Sequence, residues 1–337
     1  MKLINKYVIG THVMFYEIEI LHEFVDSVIQ ASNETESTEN IIVDIFFNMS
    51  EYFEKIEPSK IDYIRNTFLE EIDKLNESGV NVNYKIYNSE EPYTMTNYRR
   101  ELNFNYCNSV DYVIWGETDC LVPKEMFLAL EQIKEYANSQ NIHRYITTFA
   151  TRKMWDDSWK VLEHPKFTNC KYLERDDTGA FTEPHSIRYV MSLEEMNDIN
   201  SEADEFELQI LQQPKFDGSI LVMSADLLKM GVNIPPGFFG LSAEDTAFMY
   251  DCMQRIGSSY IQFVVKNILK VHNRDHHNKR EYALDKLKKN TFSTQKTKGD
   301  WYTLIRDMNK HNLELFIGQK QDKFLSYADY EEKLKEL

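Results

Sequence analysis

The chain has 337 residues, is 42% hydrophobic and 28% charged, and carries a formal charge of −17. Abundant Tyr and Phe, 20 of each, against 11 Gly and 8 Pro, exclude a disordered chain, because aromatic side chains supply core area. So acidic a protein is repelled by phosphate backbones, which counts against nucleic acid as a general partner. The four cysteines, Cys107, Cys120, Cys170 and Cys252, form no C-x-x-C pair and have no zinc-ligand spacing, so they read as reduced thiols. The N-terminal MKLINKYVIGTHVMF has neither a long apolar run nor a small-residue cleavage site, and no stretch of about 18 apolar residues occurs. The expectation is a cytoplasmic protein with no membrane segment.

Residues Lys6 to Tyr16 are β-branched and aromatic and predict a strand. Ile20 to Ser32 place Leu21, Phe24, Val25 and Val28 at helical spacing, and Asn33 to Asn40 form a polar loop. The apolar run Ile41 to Asn48 predicts a strand covered on both faces. A helix over Ile61 to Leu75 stops near Gly79, a strand spans Val80 to Tyr87, a helix spans Met95 to Cys107, and Tyr112 to Trp115 is a fourth strand. This alternation predicts a parallel sheet with helices on both faces and ligands at the carboxyl ends of its strands. Beyond it, Tyr145 to Ala150, Ser219 to Met223 and Tyr260 to Leu269 read as strands. Residues 151 to 215 are acidic without a clean period, and Trp301 to Leu337 read as two short helices. The expected division is a nucleotide-binding half over 1–125, an acceptor half over 126–280, and a basic segment with a helical tail over 281–337.

Three segments carry candidate chemistry. In Trp115-Gly116-Glu117-Thr118-Asp119, two carboxylates two residues apart follow a buried strand, and on extended chain they point the same way. A diphosphate at that edge requires a hard divalent cation to neutralise its charge, and such acids can hold one. In the segment Phe239 to Phe248, a loop containing Pro-Pro-Gly leads to Glu244 and Asp245 in the first turn of a helix. Acids there compensate the helix dipole, or one of them, Asp245 with Glu244 beside it, serves as a general base for a hydroxyl acceptor. In Val271 to Asn278, His272 comes directly off an apolar strand and is placed to reach a metal, whereas His276 and His277 read as loop residues. Imidazole ligation beside carboxylates tilts the ion towards Mn²⁺ over Mg²⁺.

The order of these segments resembles GT-A glycosyltransferases. The segment 216–253, FDGSILVMSADLLKMGVNIPPGFFGLSAEDTAFMYDCM, is similar to the acceptor half of inverting members, and HNRDHHN at 272–278 is similar to the H-x-R-D-x-x-N segment of the β-1,4-galactosyltransferase family. The N-terminal half resembles the broader GT-2 class. The resemblance implies an α/β GT-A fold, a mostly parallel sheet flanked by helices, with a helical C-terminal tail. It implies Thr11, His12, Arg99, Arg100, Glu117 and Asp119 at the donor, a metal on Asp119 and His272, and Asp245 as base. The implied reaction is inverting transfer of a sugar from a nucleotide diphosphate, UDP by expectation, to a glycan or small molecule. The sequence departs from the galactosyltransferase pattern in carrying Leu269 where that family has Met, and Leu241-Ser242-Ala243 where it has Trp-Gly-Gly.

Residues 266–298 carry a charge of +7, leaving −24 on the remainder. This strip, with Lys286, Lys288 and Lys289, reads either as a solvated surface or as a track for an anionic acceptor, which makes a hydroxymethylated base in DNA an alternative. Two other classes stay open. A nucleotidyltransferase shares sheet and metal but wants a Gly-rich, cationic loop after the first strand, which THVMFYEIE does not provide. A non-catalytic carbohydrate-binding protein has no need of acids at all three positions.

Overall fold

The computed structural model describes residues 2–52, 54–153, 156–170, 190–215, 217–240, 243–257, 260–273, 293–296 and 301–335. In chain order the elements are β1 (Tyr7–Met14), α1 (Leu21–Asn33), β2 (Ile41–Asn48), β3 (Glu54–Ile56), α2 (Ile61–Glu77), β4 (Asn81–Tyr87), α3 (Met95–Tyr106) and β5 (Tyr112–Trp115). There follow β6 (Cys120–Leu121), α4 (Met126–Ser139), β7 (Tyr145–Ala150), α5 (Leu193–Asn200), β8 (Leu208–Ile210), β9 (Leu221–Ser224) and α6 (Ala225–Leu228). The last are α7 (Glu244–Ile256), β10 (Ile261–Leu269), β11 (Val271–His272), β12 (Ser293–Lys296), α8 (Trp301–Phe316) and α9 (Tyr327–Lys335).

The central sheet has the order β4-β2-β1-β5-β9-β7-β10-β8. β4, β2, β1 and β5 run parallel, with Tyr7 opposite both Ile41 and Tyr112. β9 is inserted antiparallel between β5 and β7, and β10 returns parallel to β7. The first parallel strands are therefore joined to the second half through one reversed strand, in a single sheet that runs through both expected halves. This is a mixed α/β architecture, a central sheet flanked by helices with a helical C-terminal region, consistent with the expected GT-A arrangement.

Side-chain alternation decides which helices cover which face. Tyr7, Ile9 and Val13 of β1, with Tyr112 and Ile114 of β5, pack with Phe24 of α1, Phe68 of α2 and Phe127 of α4. Their neighbours Val8, Val113 and Trp115 pack on the other face with Tyr98 and Leu102 of α3 and Phe248 of α7. Two glycines set close approaches. A Cβ on Gly10 would lie 2.5 Å from Leu102 and from the Tyr98 hydroxyl, and one on Gly116 would lie 2.8 Å from the Phe24 ring. Between them, the Gly116 N–H donates to Gly10 O at 2.7 Å, which draws the chain leaving β5 against β1.

β1 ends two residues before its expected limit, because Phe15–Glu17 form a 3₁₀ turn closed by Ile20 N–H on Glu17 O. The acidic stretch 151–215 contains, where described, two 3₁₀ turns, α5 and the edge strand β8. No helix among the described residues is long and apolar enough to cross a membrane.

Candidate functional site

β1, β5 and β7 are co-directional, directly or through β9, so their carboxyl ends share one edge of the sheet. The chain leaves β5 at Trp115 and turns at once, with Cys120 N–H donating to Glu117 O at 3.0 Å. Glu117 and Asp119 thus converge through a turn, not through the period of an extended chain. The partner arrives on a short antiparallel ladder. β11 pairs with β6, setting His272 opposite Cys120, and Asn273 N–H donates to Asp119 O at 2.7 Å. That ladder delivers an imidazole from residue 272 to carboxylates some 150 positions earlier in the chain.

His272 Nε2 lies 3.1 Å from Glu117 Oε2 and 3.4 Å from Asp119 Oδ2. Ligand atoms from Glu117, Asp119, Cys120 and His272 all fall within 4.8 Å of one another. Two carboxylate oxygens and one imidazole nitrogen can chelate a divalent cation, a set compatible with Mn²⁺ or Mg²⁺ but not specific to them. Burial works against a charge on His272, but Asp119 and Glu117 outweigh it and hold its pKa up to about 10. An incoming dication must therefore displace the proton that balances these acids. Cys120 is fully buried, and burial together with Asp119 and Glu117 pushes its thiol far up, so it stays a neutral SH beside the carboxylates.

A second acidic group lies across the same edge. Ala243 adopts a left-handed φ of +66° and starts α7, whose first turn carries Glu244 and Asp245. Arg99, 1% exposed, donates to Glu244 Oε1 at 2.9 Å, to Glu117 Oε1 at 2.7 Å and to Gly218 O at 2.8 Å, and its guanidinium lies 4.8 Å over the Trp115 ring. One buried guanidinium thus ties the two acidic groups together. Burial and the charge of Asp245 raise Glu244 to about 7. Asp245 is also raised, chiefly by burial and by Asp217, against the opposing hydrogen bond from Thr246 N–H at 2.6 Å.

The other expected donor residues occupy different surroundings. Thr11 is fully buried on β1, and its hydroxyl has no hydrogen-bond partner among the described residues. His12 is stacked on Phe46 with centroids 5.6 Å apart, and Nε2 lies 3.2 Å from Asn48 Nδ2. Burial and the positive charge of Arg99 lower its pKa to about 3, which keeps the ring neutral. Arg100 donates to the carbonyls of Ile234, Pro235 and Phe238. Its guanidinium fastens α3 to the 234–238 loop and makes no contact with the acidic cluster.

Of the basic strip, Lys266 donates to Lys160 O and Val161 O, and Lys270 is 1% exposed with Nζ on Ser219 Oγ at 2.9 Å. Lys270 thus serves the interior, whereas the half-buried Lys266 ties β10 to the turn at 160–161. Lys286, Lys288, Lys289, His276 and His277 lie outside the described residues.

Two residues escaped the sequence reading. Asp217, just before β9, brings Oδ1 to 3.8 Å from His272 Nδ1 and Oδ2 to 3.6 Å from Lys270 Nζ. The one available signal was local: Asp-Gly at 217–218 and Lys270 both adjoin predicted strand ends that meet at the ligand edge of an α/β sheet.

No family model matches the chain, and no curated protein matches it. Among solved structures it is similar to a 4-diphosphocytidyl-2C-methyl-D-erythritol synthase from Anaerococcus prevotii, at 11% identity and TM-score 0.36, over 78% of this chain and 89% of that one. It is also similar to HddC from Yersinia pseudotuberculosis, at 11% identity and TM-score 0.34, over 84% of this chain and 100% of that one. Neither is named for moving a sugar, and the first is named for a diphosphocytidyl product. The expectation of a glycosyltransferase is corrected accordingly, and with it the hexosyl or pentosyl class, the UDP-sugar donor and the hydroxyl acceptor, whether glycan, small molecule or modified DNA base. Of the acids expected as base, Glu244 is bound to Arg99 and Asp245 accepts from Thr246 N–H with one oxygen. What stands is the fold and a cluster able to chelate a divalent cation.

Proposed function

We propose that the chain is a divalent-metal-dependent nucleotidyltransferase, acting on a nucleoside triphosphate and an acceptor that presents a phosphate. The observation that carries this reading is the convergence of Glu117, Asp119 and His272 within bonding reach of one ion, at the carboxyl edge of β1 and β5 where α/β sheets bind ligands. A bound Mn²⁺ or Mg²⁺ would supply charge neutralisation to the phosphates. An ionised phosphate oxygen of the acceptor attacks the α-phosphorus, the bond from that phosphorus to the bridging oxygen breaks, and pyrophosphate leaves with the electron pair. No proton has to be removed from such an acceptor. A site whose buried acids are engaged with Arg99 and a helix N-terminus suits that requirement better than it suits activation of a hydroxyl.

Asp119, Glu117 and His272 hold the ion in this reading. Arg99 fixes Glu117 and so sets the spacing between the carboxylates. β1 runs into the buried turn Phe15–Glu17, with no glycine-rich cationic loop after it, so phosphate recognition depends heavily on the ion. Calorimetric titration with each of the four common nucleoside triphosphates tests this. Binding of at least one is expected with Mn²⁺ and not in EDTA, with pyrophosphate released when phosphorylated alcohols are added. Triphosphate binding that ignores EDTA, or hydrolysis of a nucleotide-sugar at its anomeric carbon, would overturn the reading.

A further inference from the structure

We infer that Asp217 is a positioning residue for His272: it takes the imidazole Nδ1–H and thereby directs Nε2 at the ion, while Lys270 holds Asp217 in place. The inference rests on the metal-binding part of the function proposed above.

Three observations carry it. First, the two ring nitrogens face different groups. Nε2 is turned to Glu117 and Asp119, at 3.1 and 3.4 Å, whereas Nδ1 is turned to Asp217 Oδ1 at 3.8 Å. Nδ1 is buried and has no hydrogen bond among the described residues, so Asp217 is the acceptor in position to close on it. Second, Asp217 is itself held. It is 7% exposed, Oδ1 accepts Ser219 N–H at 2.9 Å, and Oδ2 faces Lys270 Nζ at 3.6 Å. Lys270 is anchored in turn on Ser219 Oγ and Ile220 O. Third, the neighbouring charges have other partners. Asp217 faces Lys270 and Glu117 shares Arg99 with Glu244, so Asp119, the second oxygen of Glu117 and a neutral His272 are left to face the ion. Lys270 thereby also draws one oxygen of Asp217 away from the ion.

A ligating histidine generally gives its second ring N–H to a carboxylate, which fixes tautomer and orientation, and loss of that partner costs roughly 10–100-fold in metal affinity. The chain order fits such a relay. Lys270 and His272 are two residues apart across the end of β10 and the start of β11, and Asp217 approaches both from the segment leading into β9.

The test uses the full chain and Mn²⁺ alone, with free ion followed by electron paramagnetic resonance and the imidazole nitrogen coupling by spin-echo modulation. The wild type should bind Mn²⁺ with a nitrogen coupling that His272→Ala abolishes. Asp217→Ala should weaken Mn²⁺ by roughly 10–100-fold and diminish that coupling, and Asp217→Asn, which keeps an acceptor oxygen, should recover most of both. Because Asp217→Ala strands the buried Lys270 charge, the double variant Asp217→Ala, Lys270→Met serves as the folded control and should show the same loss. Unchanged affinity and coupling in the double variant would overturn the positioning role while leaving the metal site intact. A wild type that binds no Mn²⁺ would overturn both the role and the functional reading beneath it.

Discussion

Two acidic groups share the ligand edge of the sheet, and they are neutralised in opposite ways. Glu244 is answered by a buried guanidinium, Arg99 at 2.9 Å, on the N-terminal turn of a helix that itself favours negative charge. Glu117 shares that guanidinium at 2.7 Å, but it and Asp119 are also faced by an imidazole, whose charge a metal can replace. Arginine cannot be deprotonated in a protein, whereas histidine can surrender its proton to an incoming cation. Equal acidity in sequence therefore hides one permanent structural clamp and one exchangeable site, and the difference is set by which cation the fold brings opposite.

The largest expected effect breaks the clamp. Arg99→Met leaves Glu244 buried without its counter-ion and takes one partner from the half-buried Glu117, and an uncompensated buried charge of this kind costs about 3–5 kcal/mol. Urea denaturation should show a loss of that size, and a change below about 1 kcal/mol would mean that the clamp is not structural. Next, Asp119→Asn removes one charged ligand from the exchangeable site without removing volume. Mn²⁺ affinity should fall by about 100-fold, or about 2.7 kcal/mol at 1.36 kcal/mol per tenfold change, with the unfolding midpoint nearly unmoved. Equal Mn²⁺ binding in the variant would place the ion elsewhere. Glu244→Gln keeps an acceptor for Arg99, so stability should drop by only about 1 kcal/mol and Mn²⁺ affinity should stay within about twofold. A large loss of metal binding there would merge the two groups into one site.

Much of the fold was legible because local pattern and tertiary role coincided. The runs at Ile41–Asn48 and Tyr112–Trp115 are apolar since helices cover both faces of their sheet, and the helix over Leu21–Asn33 shows its buried stripe in Phe24, Val25 and Val28. Glu117, Asp119 and His272 were legible as candidates because each follows directly on a strand. The manner of their meeting was not legible. It depends on the turn at 117–120 and on the ladder between β6 and β11, two strands of two residues each, too short to leave a periodic signal. Asp217 was hidden for a similar reason: its contact with His272 follows from β9 inserting antiparallel between β5 and β7, a pairing with no local signature. Arg99 and Arg100, adjacent on α3, looked equivalent in sequence. Their positions on the helix send one to the acids and the other to the carbonyls of the 234–238 loop.

A divalent ion and a nucleotide are expected to meet at the carboxyl edge of β1 and β5. Crystals of the full chain grown with Mn²⁺ and a nucleoside triphosphate, with data collected at the manganese absorption edge, test that directly. An anomalous peak is expected at the carboxyl edge of β1 and β5, with His272 Nε2 at about 2.0–2.3 Å, near the usual metal–nitrogen distance, Asp119 as a further ligand, and phosphate oxygens completing the shell. A peak held by Glu244 and Asp245, or one ligated only by water and phosphate with His272 turned away, would contradict it.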